Sequence, residues 1–402
     1  MQNIIKDIIQ KNNSKIMLVV LDGLGGLPVH GKTELEIADI PNLDMLARNS
    51  ACGLHIPVAP GITPGSGPGH LGLFGYDPIE WRIGRGVLEA LGLGIELKKT
   101  DIAIRGNYST IEKGIITDRR AGRIPTDKSR KITEKLQEKI RKIDNVEIIF
   151  APGMEHRFAV VLRFPKPLER GAADIKDTDP QKEGNPPVDV TPLTLQARKV
   201  AKVVEKLIKT ISGIIGKQGA ANHILFRGFS QVPHIPKFGE VYGLKPLAIA
   251  SYPMYRGLAK LIGMDAPAIA GDVKEEIDFL KQNYKKYDFF FLHVKKIDSY
   301  GEDGNFEGKA AQIEKFDRIL PGILALAPDV LIITGDHSTP SLLKGHSWHP
   351  VPVLLNSPYV FGGLCKSFSE RECTKGEFGI FPTINLMPLA LANALRLKKF
   401  GA

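Results

Sequence analysis

The chain has 402 residues with 54 Lys+Arg and 44 Asp+Glu, which gives a net charge of +10 and suggests an anionic partner of unspecified kind. Its 43% hydrophobic and 24% charged residues exclude a disordered or fibrous protein, and its length is too great for one simple core. No run approaches the roughly 18 apolar residues of a membrane span, the start lacks a signal-peptide core, and three cysteines are too few for a disulfide framework. We therefore expect a soluble cytoplasmic protein.

Runs of β-branched and aromatic residues predict buried strands, because these runs are apolar over their whole length. In chain order they lie at residues 16–21, 247–250, 287–294, 329–334 and 351–355. Helical patterns lie between them, at residues 42–48, 308–326 and 386–399. This alternation predicts an α/β fold with a doubly wound, mostly parallel sheet.

The middle of the chain has a different character. Residues 105–235 contain 25 Lys+Arg and 15 Asp+Glu, so this block carries the whole surplus of positive charge. Its β-like pieces lie at residues 101–105, 146–150 and 158–162. Two basic helical stretches lie at residues 129–143 and 193–211, and a loop rich in Pro, Gly and Asp lies at residues 174–192. We predict an α+β domain of residues 105–235, inserted into a catalytic domain of residues 1–104 and 236–402.

Three acidic residues, Asp22, Asp298 and Asp336, each follow a predicted strand. The carboxyl ends of strands line the ligand crevice of open α/β sheets, so we expect these residues to converge there. His337 and His346 join them, and carboxylates with imidazoles suit divalent ions such as Mn or Zn. Each Asp alone is equally well explained as a helix cap or a turn residue. The joint pattern favours a metal site.

A segment rich in proline and glycine surrounds Ser66 at residues 60–77, PGITPGSGPGHLGLFGYD. A serine at the start of a predicted helix is well placed to carry a phosphate, and a nearby metal can make its hydroxyl a nucleophile. A flexible loop with an N-capping serine explains the segment as well. The Lys-Ser/Thr ending of a Walker loop is missing.

Cationic residues gather on glycine-bearing loops of the middle block. They are Arg119, Arg120 and Arg123 beside Asp118 in TDRRAGR, His156 and Arg157 in GMEHR, and Arg227 in LFRGF. Arginine pairs bidentately with carboxylate and phosphate, so these loops suit a small phosphorylated acid. We interpret the lysine-rich stretch at residues 128–142 as a solvated face.

Several long motifs resemble those of the cofactor-independent (2,3-bisphosphoglycerate-independent) phosphoglycerate mutases of archaeal type, in the alkaline phosphatase superfamily. They include VVLDGLGG, KTELEIADIPNLDMLA, GITPGSGPGHLGLFGYDP, GRGVLEALGLGI, DRRAGRI, KKID…GEDGNFEGK and TGDHSTP. The resemblance spans nearly the whole chain and is weakest at residues 163–192. It implies an alkaline-phosphatase-like fold and an isomerase that interconverts 3-phosphoglycerate and 2-phosphoglycerate through a phosphoserine, without added bisphosphoglycerate.

The resemblance also implies two divalent metal ions, drawn from Mn, Zn, Co or Mg. The ligands of one ion would be Asp22, Ser66, Asp336 and His337. The ligands of the other would be Asp298, Glu302 and His346. Glu302 stands where many members have histidine, which leaves the identity of the metal open, and His349 is a nearby alternative to His346.

For the substrate, the resemblance implies that Ser66 is the nucleophile, that Asp118 is the general acid/base, and that Lys245 lies near the transferring phosphate. The groups that bind carboxylate and phosphate would be Arg119, Arg123, His156, Arg157 and Arg227. Arg256 and His70 are weaker candidates, for which a packing role is at least as plausible.

Two other classes of function remain open at this stage. A phosphatase, phosphonate hydrolase or phosphopentomutase could use the same scaffold, because fold and site do not imply one substrate. A basic nucleic-acid-binding protein would also explain the charge, but the middle block shows neither aromatic platforms for bases nor a nucleic-acid motif. We therefore expect a small-molecule substrate and neither a nucleic-acid nor a membrane partner, and the oligomeric state stays open.

Overall fold

The computed structural model describes residues 2–216, 219–269 and 273–401. The strands are β1 (Ile16–Leu21), β2 (Ala51–Ile56), β3 (Asp101–Glu112), β4 (Ile115–Asp118), β5 (Lys142–Ile143), β6 (Val146–Pro152), β7 (Arg157–Arg163), β8 (His223–Gln231), β9 (Pro246–Ile249), β10 (Phe289–Val294), β11 (Val330–Thr334), β12 (Val351–Asn356) and β13 (Gly379–Pro382). The helices are α1 (Gln2–Ile8), α2 (Glu34–Ile37), α3 (Pro41–Arg48), α4 (Ser66–Leu73), α5 (Arg85–Gly92), α6 (Thr126–Lys139), α7 (Arg198–Ile215), α8 (Phe238–Tyr242), α9 (Pro253–Leu261), α10 (Val273–Asn283), α11 (Lys296–Glu302), α12 (Phe306–Leu324), α13 (Glu370–Cys373) and α14 (Leu386–Asn393).

The chain divides into two compact units. The first contains residues 1–82, 235–252 and 259–402, and the second contains residues 83–234 and 253–258. The division predicted from the sequence begins the insertion later, at residue 105. The structure places residues 83–104 in the second unit because α5 packs against β3, β7 and β8.

In the part of the chain that the structure describes, the first unit is built on a seven-stranded sheet in the order β13-β2-β12-β11-β1-β10-β9. The central strand β1 pairs in parallel with β10 and β11, and β10 pairs in parallel with β9. Residues of β1 are buried along their whole length, as in a sheet covered on both faces. The predicted α/β fold with a mostly parallel sheet is confirmed.

Strand β12 is an exception to the parallel pairing, because it runs antiparallel to both β11 and β2. The sequence predicts a mostly parallel sheet and does not indicate which of the five apolar runs is antiparallel. Residues 335–350, which connect β11 to β12, contain no helix that could carry the chain back to the other end of the sheet. The chain therefore folds over the end of β11 and returns beside it.

Helix α14 is shorter than the predicted segment at residues 386–399. It ends at Asn393, and Leu395 then takes the left-handed conformation with φ 53°. Leu397 then forms an isolated antiparallel β-bridge with Ile9. The last apolar residues of the pattern therefore contact the N-terminal segment instead of extending the helix.

The second unit has an antiparallel sheet in the order β4-β3-β7-β6-β5. Strand β8 also pairs with β3, on the side opposite to β7. One face packs on α6 and α7, whose buried residues include Leu136 and Leu207. The predicted helix at residues 129–143 ends at Lys139, because the chain enters β5 at Lys142–Ile143. Strand β8 was not predicted from the sequence.

Within the described ranges, we find no helix whose length and hydropathy would allow it to cross a membrane.

Candidate metal centre

Three buried carboxylates lie at one edge of the first unit's sheet. Asp22 directly follows β1, Asp336 lies two residues after β11, and Asp298 lies in the first turn of α11, just after β10. Each of these residues is at most 2% exposed. The three strands are adjacent and parallel, so their carboxyl ends meet and bring these side chains together.

The first possible ligand group consists of Asp22, Asp336 and His337, whose ligand atoms all lie within 4.8 Å of one another. Nε2 of His337 is 3.4 Å from Oδ1 of Asp22 and 3.2 Å from Oδ2 of Asp336. Oγ of Ser66 lies 3.2 Å from the same Nε2. The predicted serine therefore lies beside this group.

The second possible ligand group consists of Asp298, His337 and His346. Nε2 of His346 is 3.6 Å from Oδ1 of Asp298, and Nδ1 of His346 is 2.9 Å from the carbonyl oxygen of Pro64. The sequence analysis assigned His337 to one metal only. In the structure, this residue belongs to both groups.

Two further residues were considered as ligands, Glu302 and His349. Glu302 lies one helical turn after Asp298, its side chain is 55% exposed, and its Oε1 is 3.8 Å from Nε2 of His346. It therefore lies at the rim of the second group. Nδ1 of His349 instead lies 3.0 Å from Oγ of Ser347, which favours His346 over His349 as the ligand.

Helix α4 positions Ser66 at its first residue, as predicted. The helix approaches the end of β11 so closely that a Cβ on Gly69 would lie 2.3 Å from the carbonyl oxygen of Asp336. His70, one turn further on, is fully buried, with Nδ1 2.8 Å from the carbonyl oxygen of Ser66 and 3.2 Å from Oδ2 of Asp336. The weak candidate His70 thus contacts both the serine and a carboxylate of the site.

Lys295 and His293 also reach the carboxylates, and the sequence analysis missed both. Nζ of Lys295 is 3.0 Å from Oδ2 of Asp22 and 2.5 Å from Oδ2 of Asp298. Nε2 of His293 is 3.3 Å from Oδ2 of Asp22. His293 lies at the end of the predicted strand at residues 287–294, and Lys295 directly follows it. Their position just before Asp298 was the signal in the sequence that could have identified them.

Burial and neighbouring charges shift the pKa values of the side chains at this site. Burial raises the pKa of Asp336 to about 6, and the charge of Asp22 adds to the effect. Burial also acts to raise the pKa of Asp22, but contacts with His293 and Lys295 outweigh it and hold that pKa well below its usual range. Burial holds the pKa of His337 well below its usual range, so this imidazole is neutral at pH 7.

The second unit presents a cationic face on β3, β7 and β8. Arg105 of β3 pairs with Arg227 of β8, and Asn107 pairs with Arg157 of β7. Residues directly opposite on paired strands share a face, and alternate residues along a strand do too. Tyr108 points to the other face and is buried in the core. Three arginines therefore lie on one face of this sheet.

Some of the predicted substrate-binding arginines already bind acidic side chains. Nε and Nη2 of Arg119 donate to the two carboxylate oxygens of Asp179, both at 2.7 Å. Nη1 of Arg227 is 3.3 Å from Asp179, and its Nη2 donates to Gln181 at 3.2 Å. Arg123, in contrast, is exposed and has a left-handed backbone with φ 50°. Arg119 thus has a structural partner that the sequence did not indicate.

Asp118 and His156 lie on loops of the same unit. The carboxylate of Asp118 accepts hydrogen bonds from the backbone N–H groups of Arg120 at 2.6 Å and Gly122 at 2.7 Å, which order its own loop. His156 is 3% exposed. Burial, followed by the charge of Arg157, lowers the pKa of His156 to about 4, so this imidazole is neutral at pH 7.

The sequence model of the 2,3-bisphosphoglycerate-independent phosphoglycerate mutase family matches residues 47–220. A probable 2,3-bisphosphoglycerate-independent phosphoglycerate mutase of Aquifex aeolicus (strain VF5) is 61% identical over 406 residues that cover 100% of both chains. The chain belongs to this family. The match includes residues 163–192, where the motif resemblance was weakest.

Two solved structures resemble this family member over nearly their whole length. A protein of Pyrococcus horikoshii has a TM-score of 0.84 and 30% sequence identity, with coverage of 98% of this chain and 100% of that chain. The cofactor-independent phosphoglycerate mutase of Thermoplasma acidophilum DSM 1728 has a TM-score of 0.71 and 28% identity, with coverage of 95% and 100%.

One residue carried over from the family pattern does not reach the metal centre. Lys245 is exposed and precedes β9, with Nζ 5.0 Å from the ring centre of Tyr287, which itself precedes β10. This is the edge of the sheet opposite to the carboxylates, so the prediction of Lys245 near the transferring phosphate disagrees with the structure. Lys295 is the lysine that lies at the carboxylates. Arg256 donates to the carbonyl oxygen of Gly92 at 3.3 Å, in keeping with packing.

Proposed function

We propose that this chain interconverts 3-phosphoglycerate and 2-phosphoglycerate, as an isomerase of glycolysis and gluconeogenesis that needs no 2,3-bisphosphoglycerate. Membership of the family supports the reaction. The observation that carries the proposal is the position of Ser66, whose Oγ lies 3.2 Å from His337, the residue shared by both ligand groups. A phosphoserine intermediate needs a serine hydroxyl in this place.

Two divalent cations form part of the same proposal. The chemistry of the donors supports it, because three buried carboxylates and two imidazoles form two groups whose ligand atoms lie close enough together to share an ion. Asp22, Asp336 and His337 would hold one ion with Ser66, and Asp298 and His346 would hold the other, with Glu302 at the rim. When bound, such ions stabilise negative charge on phosphoryl oxygens. Mn, Zn, Co and Mg all remain candidates.

The chain's own groups would then act as follows. Ser66, deprotonated, forms a bond to phosphorus while the bond from phosphorus to the glycerate oxygen breaks. Asp118 gives a proton to that oxygen and later removes one from the other hydroxyl, which bonds to phosphorus as the bond between phosphorus and Ser66 breaks. Lys295 offers a cation to the transferring group in place of Lys245.

The second unit would supply the groups that bind glycerate. Its cationic face contains Arg105, Arg157 and Arg227, and Arg123 is exposed on the neighbouring loop. Arginine suits carboxylate and phosphate because its planar fork donates two parallel hydrogen bonds. In this proposal residues 105–235 form most of a substrate-binding domain. A cytoplasmic location, as for other glycolytic enzymes, belongs to the same proposal.

The test is a coupled assay with enolase on the purified protein, supplied with 3-phosphoglycerate and no bisphosphoglycerate. Parallel reactions contain Mn, Co, Zn or Mg, and free phosphate is measured in each. Formation of 2-phosphoglycerate without release of phosphate is the expected result. Release of stoichiometric phosphate would instead identify a phosphatase of the same fold, and full activity after exhaustive chelation would contradict the metal centre.

A further inference from the structure

The hydroxyl of Thr339 lies between the two possible ligand groups. Its Oγ1 donates to Oδ1 of Asp298 at 2.8 Å and lies 2.9 Å from Nδ1 of His337. The residue is fully buried. No step of the proposed reaction uses it, although it contacts a member of each group.

These two contacts specify which nitrogen of His337 carries a proton. A hydroxyl has one proton, and an ionised carboxylate can only accept, so the proton of Thr339 goes to Asp298. Oγ1 must therefore accept a hydrogen bond from Nδ1–H of His337. The neutral ring then has its lone pair on Nε2.

That lone pair faces the first ligand group. Nε2 lies 3.2 Å from Oγ of Ser66, 3.2 Å from Asp336 and 3.4 Å from Asp22. A divalent ion bound by imidazole needs an unprotonated nitrogen in this place. The opposite tautomer would direct a proton there and block a ligand.

We propose that Thr339 is a positioning residue of the metal centre, whose hydroxyl holds His337 in the Nδ1–H tautomer and keeps Asp298 oriented in the neighbouring group. Outer hydrogen bonds of this kind fix ligand orientation and tautomer in many metal sites. The inference rests on the proposed metal centre. It adds a residue that is neither a proposed metal ligand nor a proposed substrate-binding group.

Lys309 holds the backbone of Thr339 in place. Its Nζ donates to the carbonyl oxygens of Thr339 and Gly25, both at 2.9 Å, and the N–H of Thr339 donates to Gly25 at 3.0 Å. Lys309 is itself fully buried, with Oε1 of Glu34 3.9 Å from Nζ. Gly23 lies close against the hydroxyl of Thr339, because a Cβ on Gly23 would be only 2.7 Å from Oγ1 of Thr339. The hydroxyl therefore has little room to move.

The test compares Thr339→Val, which keeps the shape and removes the hydroxyl, with Thr339→Ser, which keeps the hydroxyl. The matched control is Thr383→Val, because Thr383 is also buried in the first unit and its hydroxyl contacts Nδ1 of another buried histidine, His55. His55 belongs to neither ligand group. The control therefore shows the effect of losing a buried Thr–His hydrogen bond as such.

Two measurements are made on each protein. Long-range ¹H–¹⁵N NMR of histidine-labelled, metal-free protein reports the tautomer of His337, and calorimetric titration with Mn²⁺ reports metal affinity. We expect Nδ1–H in the wild type and in Thr339→Ser, and a changed or mixed tautomer in Thr339→Val. Mn²⁺ affinity should fall by roughly 10–100-fold in Thr339→Val only.

The possible failures are distinct. If the wild type binds no divalent ion, the proposed metal centre is wrong and the inference fails with it. If the wild type binds Mn²⁺ and Thr339→Val keeps both its affinity and its tautomer, the inference alone is wrong. If Thr339→Val does not fold, the wild type still decides, because a proton on Nε2 of His337 would overturn the inference.

Discussion

The ring of His346 stacks on the ring of His337, with centroids 3.6 Å apart and planes inclined by 23°. His337 belongs to both possible ligand groups, whereas His346 belongs to one. A neutral imidazole gives one lone pair to one ion, so we expect His337 to serve the ion beside Asp22 and Asp336, and His346 to serve the ion beside Asp298. This difference can be measured.

We expect His337→Ala to lose the ion held with Asp22 and Asp336, and His346→Ala to lose the ion held with Asp298. The reason is that each substitution removes the imidazole of one group and leaves the other group its own. Metal content after gel filtration in the presence of Mn²⁺, measured by inductively coupled plasma mass spectrometry, checks the stoichiometry. Loss of both ions from either variant would contradict separate roles for the two histidines.

Lys295→Ala should lower kcat by roughly 100-fold or more, as expected when one charged donor to the transferring group is removed. Lys245→Ala is the matched control, because Lys245 lies on the exposed opposite edge of the same sheet. It should keep activity close to that of the wild type. Steady-state kinetics of both variants give the comparison, and a large loss in Lys245→Ala would restore the assignment based on the family pattern.

Ser66→Ala should abolish mutase turnover and also the phosphoenzyme formed from ³²P-labelled 3-phosphoglycerate. The side chain lies at the first residue of α4, where loss of one oxygen leaves the helix intact. Circular dichroism and Mn²⁺ titration serve as controls for folding and for the remaining ligands. Turnover that persists in this variant would remove Ser66 from the mechanism.

Arg119 and Arg123 should respond differently to replacement by alanine. Arg119→Ala leaves the buried carboxylate of Asp179 without its bidentate partner and should cost about 2 kcal/mol of unfolding free energy. Arg123→Ala should raise KM for 3-phosphoglycerate and leave stability unchanged, since Arg123 is exposed. Urea unfolding and kinetics of both variants test this, and an unstable Arg123→Ala would count against it.

His156 should make the protein sensitive to acid. Its pKa is about 4 in the folded chain and near the usual value of about 6.5 when unfolded, so between these pH values the unfolded chain binds the extra proton. Stability contributed by neutral His156 is therefore lost as the pH falls through this window. Urea unfolding at pH 7 and pH 4.5 should show a smaller loss for His156→Gln than for the wild type or for His30→Gln, an exposed control. The same loss in all three proteins would refute the assignment.

Much of the candidate metal centre could be predicted from the sequence. The strands leading to Asp22, Asp298 and Asp336 are visible as uninterrupted apolar runs. Such runs are typical of parallel strands that are buried on both faces. Once those strands are parallel, the residues after them must share one edge of the sheet. The position of Ser66 at a helix start was equally visible, because proline and glycine end one element just before it.

Other features depend on partners that are remote in the chain. The antiparallel direction of β12 depends on the path of residues 335–350 across the edge of the sheet. The bond between Arg119 and Asp179 joins two loops of the second unit. A hydrophobic pattern shows which residues are buried, but not which charged side chains meet.

By itself, the sequence determined the α/β class, the family and the main carboxylates and imidazoles of the candidate metal centre, because strand periodicity and motif order are local properties of the chain. Lys295 follows β10 and Lys245 precedes β9, which is the neighbouring parallel strand, so the two lysines lie at opposite ends of the strands. Only the tertiary structure showed that Lys295 is the one beside the carboxylates. It also decided that Thr339 contacts both ligand groups. Contacts of this kind require atoms within about 3 Å of one another, and that proximity arises only when the strands have paired.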